Sequence, residues 1–327
     1  MSSIKTVAKL ANVSVATVSR VLNNDNKVKA ETRERVLKVI EEIDYRPNLL
    51  AKNLRKKSSS TILIVLPTIS NPIFNEIIRG AETAIKEKGY NVIIGTTELD
   101  NNQLETFINL LKTQQVDGAV FLSSSINKNK LKEIADDYSV VMCNEYFDEI
   151  DVPYVSIDNK RAGYDACKYL FERGKNNIAY IRGYIDSSSS LGRLDGYKKA
   201  HKEKKVPYNT ECIIKGSNDF EKLRLQTIKL IEEHPSIDGL LVNSDIQASI
   251  VLKTLKQLGL RIPEDVGIIS FDGTIISQIV DPSLTSIVQP MYELGYQSVE
   301  ILIDKLNKNE VKNMQVILPH RLVKRDT

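Results

Sequence analysis

Thr6-Val7-Ala8-Lys9-Leu10-Ala11-Asn12-Val13-Ser14-Val15-Ala16-Thr17-Val18-Ser19-Arg20-Val21-Leu22-Asn23 reads as two short helices joined at Asn12-Val13. Apolar residues recur at helical spacing on both sides of the joint, and asparagine tolerates the left-handed geometry of a tight turn. Ser14 is placed to cap the second helix. That helix is expected to pack through Val18, Val21 and Leu22, which leaves Val15, Ala16, Thr17, Ser19 and Arg20 available to a DNA major groove. A third helical run, Val36-Leu37-Val39-Ile40-Ile43, stops at Asp44-Tyr45-Arg46-Pro47, because the residue before a proline is pushed out of the α region. A weaker helical pattern follows over Asn48–Arg55, and Lys56-Lys57-Ser58-Ser59-Ser60 reads as a polar linker. The spacing is that of a helix-turn-helix, although a generic three-helix bundle with solvated charges has the same periodicity.

Charge distribution separates these readings. The 327-residue chain carries only +3, from 45 Lys+Arg against 42 Asp+Glu. Residues 1–60 hold 13 basic and 6 acidic residues, a net +7, and the remainder holds 32 basic and 36 acidic, a net −4. A basic head on a mildly acidic body is the footprint of a nucleic-acid-binding appendage.

Beyond residue 60 the pattern changes to short apolar runs alternating with amphipathic helices, the signature of βαβ units around parallel sheets. One set of strands is expected at Ile62–Leu66, Asn91–Gly95, Gly118–Leu122, Val140–Cys143 and Val155–Ile157, with helices near 73–88, 102–114 and 129–137. A second set is expected at Ile178–Arg182, Ile213–Lys215, Leu240–Val242, Gly267–Phe271 and Ser286–Val288, with helices near 161–173, 191–205, 220–234 and 246–258. A long helix should run from Pro290 to about Asn307, followed by a strand-like Gln315–Val323. The expected fold class is therefore α/β, with two parallel-sheet lobes forming a clamp around a small molecule and an all-α head.

Several classes are disfavoured. The longest apolar runs fall far short of the roughly 18 residues a membrane span needs, and the N-terminus lacks a secretory apolar core, so a cytoplasmic location is expected. Cys143, Cys167 and Cys212 are widely separated and read as small buried apolar residues. His201, His234 and His320 are isolated and read as surface or helix-end residues. No phosphate loop, dinucleotide fingerprint, zinc-protease motif or nucleophile elbow occurs. No enzyme activity, cofactor or metal site is expected.

The run Val7-Ala8-x-x-Ala11-x-Val13-Ser14-x-x-Thr17-Val18-Ser19-Arg20-Val21-Leu22-Asn23, with Thr32-Arg33-Glu34-Arg35-Val36 and Tyr45-Arg46-Pro47-Asn48, resembles the lactose/galactose-repressor family of bacterial transcription regulators. The resemblance continues through Ile69-Ser70-Asn71-Pro72, Ile157-Asp158-Asn159, Arg193-Leu194-Asp195-Gly196-Tyr197, Ile262-Pro263-Glu264-Asp265-Val266, Phe271-Asp272 and Leu284-Thr285-Ser286-Ile287. Thr6 departs from it, standing where the family usually has an acidic residue. Val141-Met142-Cys143-Asn144-Glu145-Tyr146, Asn243-Ser244-Asp245 and Gln289-Pro290-Met291-Tyr292 look most like the cytidine-repressor branch.

The resemblance implies a periplasmic-binding-protein-like sensor and a division into a helix-turn-helix domain (1–47), a hinge helix and linker (48–60) and an effector and dimerisation domain (61–327). Within the last, one lobe would take about 61–158 and 289–313, the other about 159–288 and 314–327. It implies that Val15, Ala16 and Arg20 read bases, with Arg20 able to bond guanine O6 and N7 together. Ser14, Thr17, Asn23 and Tyr45 would contact phosphates, capping or turn chemistry being the alternative for Thr17 and Asn23. Leu54 would wedge between base pairs from the minor groove. Effector contacts would come from Phe74, Asn144, Arg193, Ser244, Asp245, Asp272 and Gln289. The family's aromatic before the helix near 220 is displaced here, to Phe220 behind Gly216-Ser217-Asn218, which puts a ring platform at that place in doubt.

The expectation is a ligand-responsive repressor, binding a near-palindromic double-stranded operator as a homodimer and controlled by a nucleoside or sugar. A global carbon-catabolite regulator answering to a phosphorylated carrier protein is the alternative within the class, and a solute-binding protein the alternative outside it.

Overall fold

The computed structural model describes residues 3–22, 25–45, 58–98, 100–122, 126–309 and 314–327. The chain divides into two units, Met1–Ser59 and Ser60–Thr327. The first holds α1 (Ile4–Leu10), α2 (Val15–Leu22) and α3 (Ala30–Glu42). Asn12 takes φ 51° in the turn between α1 and α2, the left-handed conformation that asparagine tolerates better than most side chains. Each of these two helices is capped by a serine. Ser3 Oγ accepts the Thr6 N–H at 3.2 Å and Ser14 Oγ accepts that of Thr17 at 3.1 Å. Val7, Ala8, Ala11, Val18, Val21, Val36, Val39 and Tyr45 form one core. The helix expected over Asn48–Arg55 lies outside the described residues.

Among the described residues the second unit is built on two six-stranded sheets. The first comprises β1 (Thr61–Leu66), β2 (Asn91–Thr96), β3 (Gly118–Phe121), β4 (Ser139–Cys143), β5 (Tyr154–Ile157) and β11 (Gln315–Leu318), in the order β2-β1-β3-β4-β5-β11. All its pairs are parallel. The second comprises β6 (Ile178–Arg182), β7 (Ile213–Lys215), β8 (Gly239–Val242), β9 (Gly267–Asp272), β10 (Thr285–Val288) and β12 (Arg321–Val323), ordered β7-β6-β8-β9-β10-β12. Only its β10–β12 pair is antiparallel. Strands covered by helices on both faces need apolar side chains on both faces. That is why β1 and β8 appear in the sequence as unbroken apolar runs rather than alternating ones.

Helices α4 (Ile73–Glu87), α5 (Asn101–Lys112), α6 (Lys128–Asp137) and α12 (Met291–Leu306) belong to the first lobe. The second lobe has α7 (Asn159–Glu172), α8 (Ser188–Lys204), α9 (Phe220–Glu233), α10 (Asp245–Gln257) and the short α11 (Ile276–Ile279). Glycines set how closely α7 and α8 lie. A Cβ on Gly163 would stand 2.2 Å from Arg193 O, and one on Gly196 would stand 2.1 Å from Lys160 O. Backbone therefore meets backbone, and the first turns of α8 are held firmly against α7.

The structure corrects three expectations. Gln315–Val323 is not one strand: β11 pairs with β5 in the first sheet and β12 with β10 in the second. Pro319, which has no N–H to donate to a ladder, stands between them. Residues 315–318 thus join the first lobe rather than the second. Helix α8 begins at Ser188, ahead of the expected 191, because Ser187 Oγ accepts the Ser190 N–H and caps it. His201 does lie in the last turn of α8, but it is buried, against Tyr197, Tyr208 and Phe171. The three cysteines are free and buried, as expected. No helix among the described residues is long and apolar enough to cross a membrane.

Candidate functional site

In the head, packing of Val18 and Val21 turns the opposite face of α2 outward. Val15, Ala16 and Arg20 are exposed on it. Ser14 and Thr17 share a side-chain hydrogen bond at 2.9 Å, in addition to the cap. The Thr17 hydroxyl is thus already engaged in capping. The Tyr45 ring lies in the head core. Asn23 and Leu54 fall outside the described residues.

In the body, the carboxyl ends of β3, β4, β6, β8 and β9 point into one cleft between the lobes, where open α/β sheets bind ligands. The first lobe contributes Asn71, Phe74, Asn144 and Glu145 to its walls. The second contributes Tyr184, Arg193, Asn218, Ser244, Gln247 and Asp272. Of the seven residues expected to contact an effector, Phe74, Asn144, Arg193, Ser244 and Asp272 are therefore brought together on the cleft wall. Asp245 and Gln289 are not.

Arg193 is buried, and two of its donors bond protein groups. Nε donates to Asn159 Oδ1 at 3.0 Å, Nη1 donates to the Asn243 carbonyl at 2.8 Å, and Nη2 lies 4.0 Å from Asp272 Oδ1. Its guanidinium stands 4.3 Å above the Phe271 ring. Asp272 ends β9 with φ 100°, a conformation side chains other than glycine rarely adopt. Burial pushes its carboxyl up to about 7; Arg193 pulls it down, while Asp245 and Glu145 add to the rise. Gln289 Nε2 donates to Asp272 Oδ1 at 2.9 Å, so Gln289 supports the cleft through Asp272 from behind.

Asp245 is buried beneath the strand ends and all its contacts are with the protein. Oδ1 accepts from Ser270 Oγ at 2.5 Å and Ser286 Oγ at 3.1 Å. Oδ2 accepts from the Thr274 N–H at 2.6 Å and Thr274 Oγ1 at 2.8 Å. Burial raises its pKa, and the hydroxyls and amide that bond it oppose the rise. In this arrangement Asp245 ties β9, β10 and the segment after β9 to the start of α10, and it does not face the cleft.

Sequence reasoning missed Glu145, Tyr184 and Gln247 on the cleft wall. Glu145 Oε2 accepts from Ser188 Oγ at 2.7 Å and the Ser189 N–H at 3.1 Å, and Oε1 accepts from Ser189 Oγ. The carboxylate of one lobe thus sits on the first turn of α8 in the other. Its position just past the end of β4 was the available signal. Gln247 Nε2 donates to the Ser217 carbonyl at 3.4 Å, leaving its buried Oε1 without a partner. Asn144 Oδ1 is buried and unpartnered as well. Phe220 is remote from the cleft wall, under the Lys253 ammonium at 5.1 Å. The added aromatic ring comes instead from Tyr184.

A helix-turn-helix head and a two-lobed clamp closing on a polar cleft define a ligand-controlled, DNA-reading regulator. The chain belongs to the lacI family of bacterial regulatory proteins. The family's own pattern matches residues 3–48, and that of the periplasmic binding proteins and sugar binding domain of the LacI family matches residues 59–326. It is accordingly a DNA-binding transcription regulator and not an enzyme.

Among its relatives, the HTH-type transcriptional repressor CytR of Escherichia coli K12 is 37% identical over 311 residues, covering 95% of this chain and 91% of that one. Catabolite control protein A of Priestia megaterium is 34% identical over 97% of this chain and 96% of its own length. The ribose operon repressor of Halalkalibacterium halodurans is 34% identical over 100% of this chain and 97% of its own. Of solved structures, the CelR–cellobiose complex matches with a TM-score of 0.76 at 27% identity, over 100% of this chain and 99% of that one. The operator-bound lac repressor dimer shares the fold with a TM-score of 0.88 at 24% identity, over 100% and 98%.

Proposed function

We propose that this regulator is a repressor that binds a near-palindromic operator as a homodimer and responds to a nucleoside or sugar held between its lobes. The observation that carries the effector reading is the convergence of Phe74 and Asn144 from one lobe with Arg193, Ser244 and Asp272 from the other on one cleft. Hydrogen-bonding groups arrayed beside aromatic faces suit a ring bearing several hydroxyls. The ribose operon repressor among the relatives and the cellobiose complex of CelR support the sugar class.

In the head, Arg20 reads guanine, and Val15 and Ala16 meet thymine methyls or groove shape. Ser14, Thr17, Asn23 and Tyr45 set register on phosphates, and Leu54 wedges the minor groove. In the body, Gln289 acts through Asp272, and Asp245 through the strand ends. A ligand that favours one lobe arrangement shifts the equilibrium between operator-competent and operator-released dimers by its differential affinity for the two.

Operator titration by fluorescence anisotropy tests both halves. Binding should weaken steeply with salt, and Arg20→Ala should cost specific affinity about tenfold or more while leaving nonspecific affinity within about threefold. An effector should change operator affinity in the wild type and fail to do so in Asn144→Ala. Salt-insensitive binding, or an equal loss of specific and nonspecific affinity in Arg20→Ala, would overturn the DNA reading.

A further inference from the structure

We propose that a groove at the connections between the lobes binds a free α-amino acid with an apolar side chain, at a site separate from the interlobe cleft. The groove holds about 470 Å³, within the range of small-molecule sites. It is lined by residues 288–293, by Leu318, Pro319 and Arg321, and by Glu76 of α4. The first stretch carries the chain from β10 in the second sheet to α12 on the first lobe, and the second carries it from β11 in the first sheet to β12 in the second. Part of the wall is apolar. Val288, Pro290 and Leu318 are half-buried, which leaves apolar surface that a ligand side chain would take out of water.

The polar part of the wall offers both signs of charge, each without a partner. On the positive side, the exposed Arg321 side chain forms no hydrogen bond or ion pair among the described residues. The start of α12 is open as well, because its N-cap is Pro290, which has no side-chain acceptor. The Met291 N–H is taken by the Gln289 carbonyl and the Leu294 N–H by the Pro290 carbonyl, both at 2.9 Å. The N–H groups of Tyr292 and Glu293 between them are unbonded among the described residues. A guanidinium beside free N–H groups at a helix start is a receiver for a carboxylate.

On the negative side, the exposed Glu293 carboxylate has no hydrogen bond or ion pair among the described residues. Arg79 binds Glu76 through Oε2 alone, so Glu76 Oε1 is unengaged. Gln289 is 2% exposed and lines this groove rather than the cleft. Its Nε2 is committed to Asp272, and its buried Oε1 has no partner. An ammonium group brings three donors and no acceptor, which is what these oxygens lack. A ligand with one charge would satisfy one set of groups and be repelled by the other. An α-amino acid carries its ammonium and carboxylate on one carbon, and its side chain is left to cover Val288, Pro290 and Leu318.

Calorimetric titration of the full-length protein with leucine and with phenylalanine tests the proposal. Each is paired with the amine that lacks its carboxylate, 3-methylbutylamine or 2-phenylethylamine, and with the acid that lacks its ammonium, 4-methylpentanoate or 3-phenylpropanoate. Glycine serves as the amino acid without an apolar side chain. At least one of the two amino acids should bind, and its amine, its acid and glycine should each bind at least about tenfold more weakly. Arg321→Gln and Glu293→Gln, both at exposed positions, should each weaken binding about tenfold. Asn144→Ala, on the cleft wall, should leave it within about twofold. If neither amino acid binds, or if the amine or the acid alone binds as tightly as its parent, the zwitterion assignment is wrong. Binding unchanged in both charge variants overturns the groove as the site, and binding lost in Asn144→Ala moves the ligand to the cleft and overturns it too.

Discussion

Replacing Asp245 with alanine separates two roles that give opposite results. As a strut, Asp245 receives four donors: Thr274 N–H at 2.6 Å, Thr274 Oγ1 at 2.8 Å, Ser270 Oγ at 2.5 Å and Ser286 Oγ at 3.1 Å. Removing it strands the Thr274 amide in a buried position, at about 1–3 kcal/mol. The hydroxyls can turn elsewhere; Ser270 Oγ already lies 3.4 Å from the Thr285 carbonyl. Part of the loss is returned, because burial disfavours the carboxylate's charge. A net destabilisation of about 3 kcal/mol is the expected balance, near the lower end of the cost of breaking a buried charged network. For a unit of this size that corresponds to a fall in Tm of roughly 6–12 °C. Differential scanning calorimetry of the ligand-free protein measures it, and Asp245→Asn, which keeps one acceptor oxygen, should fall between the two. If Asp245→Ala moved the ligand-free Tm by less than about 2 °C yet abolished effector binding, Asp245 would be a ligand contact and the strut reasoning would be wrong.

Asp272 gives the body a pH dependence of defined sign. Its carboxyl ionises near 3.8 when unfolded and near 7 when folded. Between these values the folded state holds a proton the unfolded state has lost, so this contribution to stability falls as pH rises from about 4 to 7. Urea denaturation of the wild type against Asp272→Asn across that window should show the difference in stability changing with pH by this slope, and parallel profiles would refute it. In the head, Ser14→Ala removes both the cap on α2 and the partner of the Thr17 hydroxyl. It should destabilise the head by about 1 kcal/mol, seen as faster amide exchange across α2 with no change in the body. Unaltered exchange there would show that the cap carries no weight.

Much of the architecture could be read in advance because it depends on local chemistry. The Asn12 turn and the Ser14 cap follow from neighbouring residues alone, and both are present in the structure. Parallel strands covered on both faces leave unbroken apolar runs, so the strands of both lobes could be located from the chain. The boundaries that failed were those set by side chains acting across a few residues. Ser187 starts α8 early, and Pro319 splits an apparently continuous strand between two sheets. The cleft was legible where a recognisable motif carried it, at Phe74, Asn144, Arg193, Ser244 and Asp272. The place of Glu145 just past β4 marked it for the cleft, but its hold on α8 was not legible, because its partners Ser188 and Ser189 are more than forty positions away.

By itself the sequence determined the class of protein: a basic head of net +7 over residues 1–60, carrying a helix-turn-helix, joined to a two-lobed α/β body of net −4, since periodicity, capping and charge are written residue by residue. Only the tertiary structure decided which of the expected residues stand on the cleft wall. Asp245 and Asp272 are both aspartates at element ends. One is saturated by Ser270, Thr274 and Ser286, and the other faces the cleft beside Arg193. That difference arises because four hydroxyl and amide donors from distant segments converge on Asp245, and convergence of distant segments is a property of the folded chain.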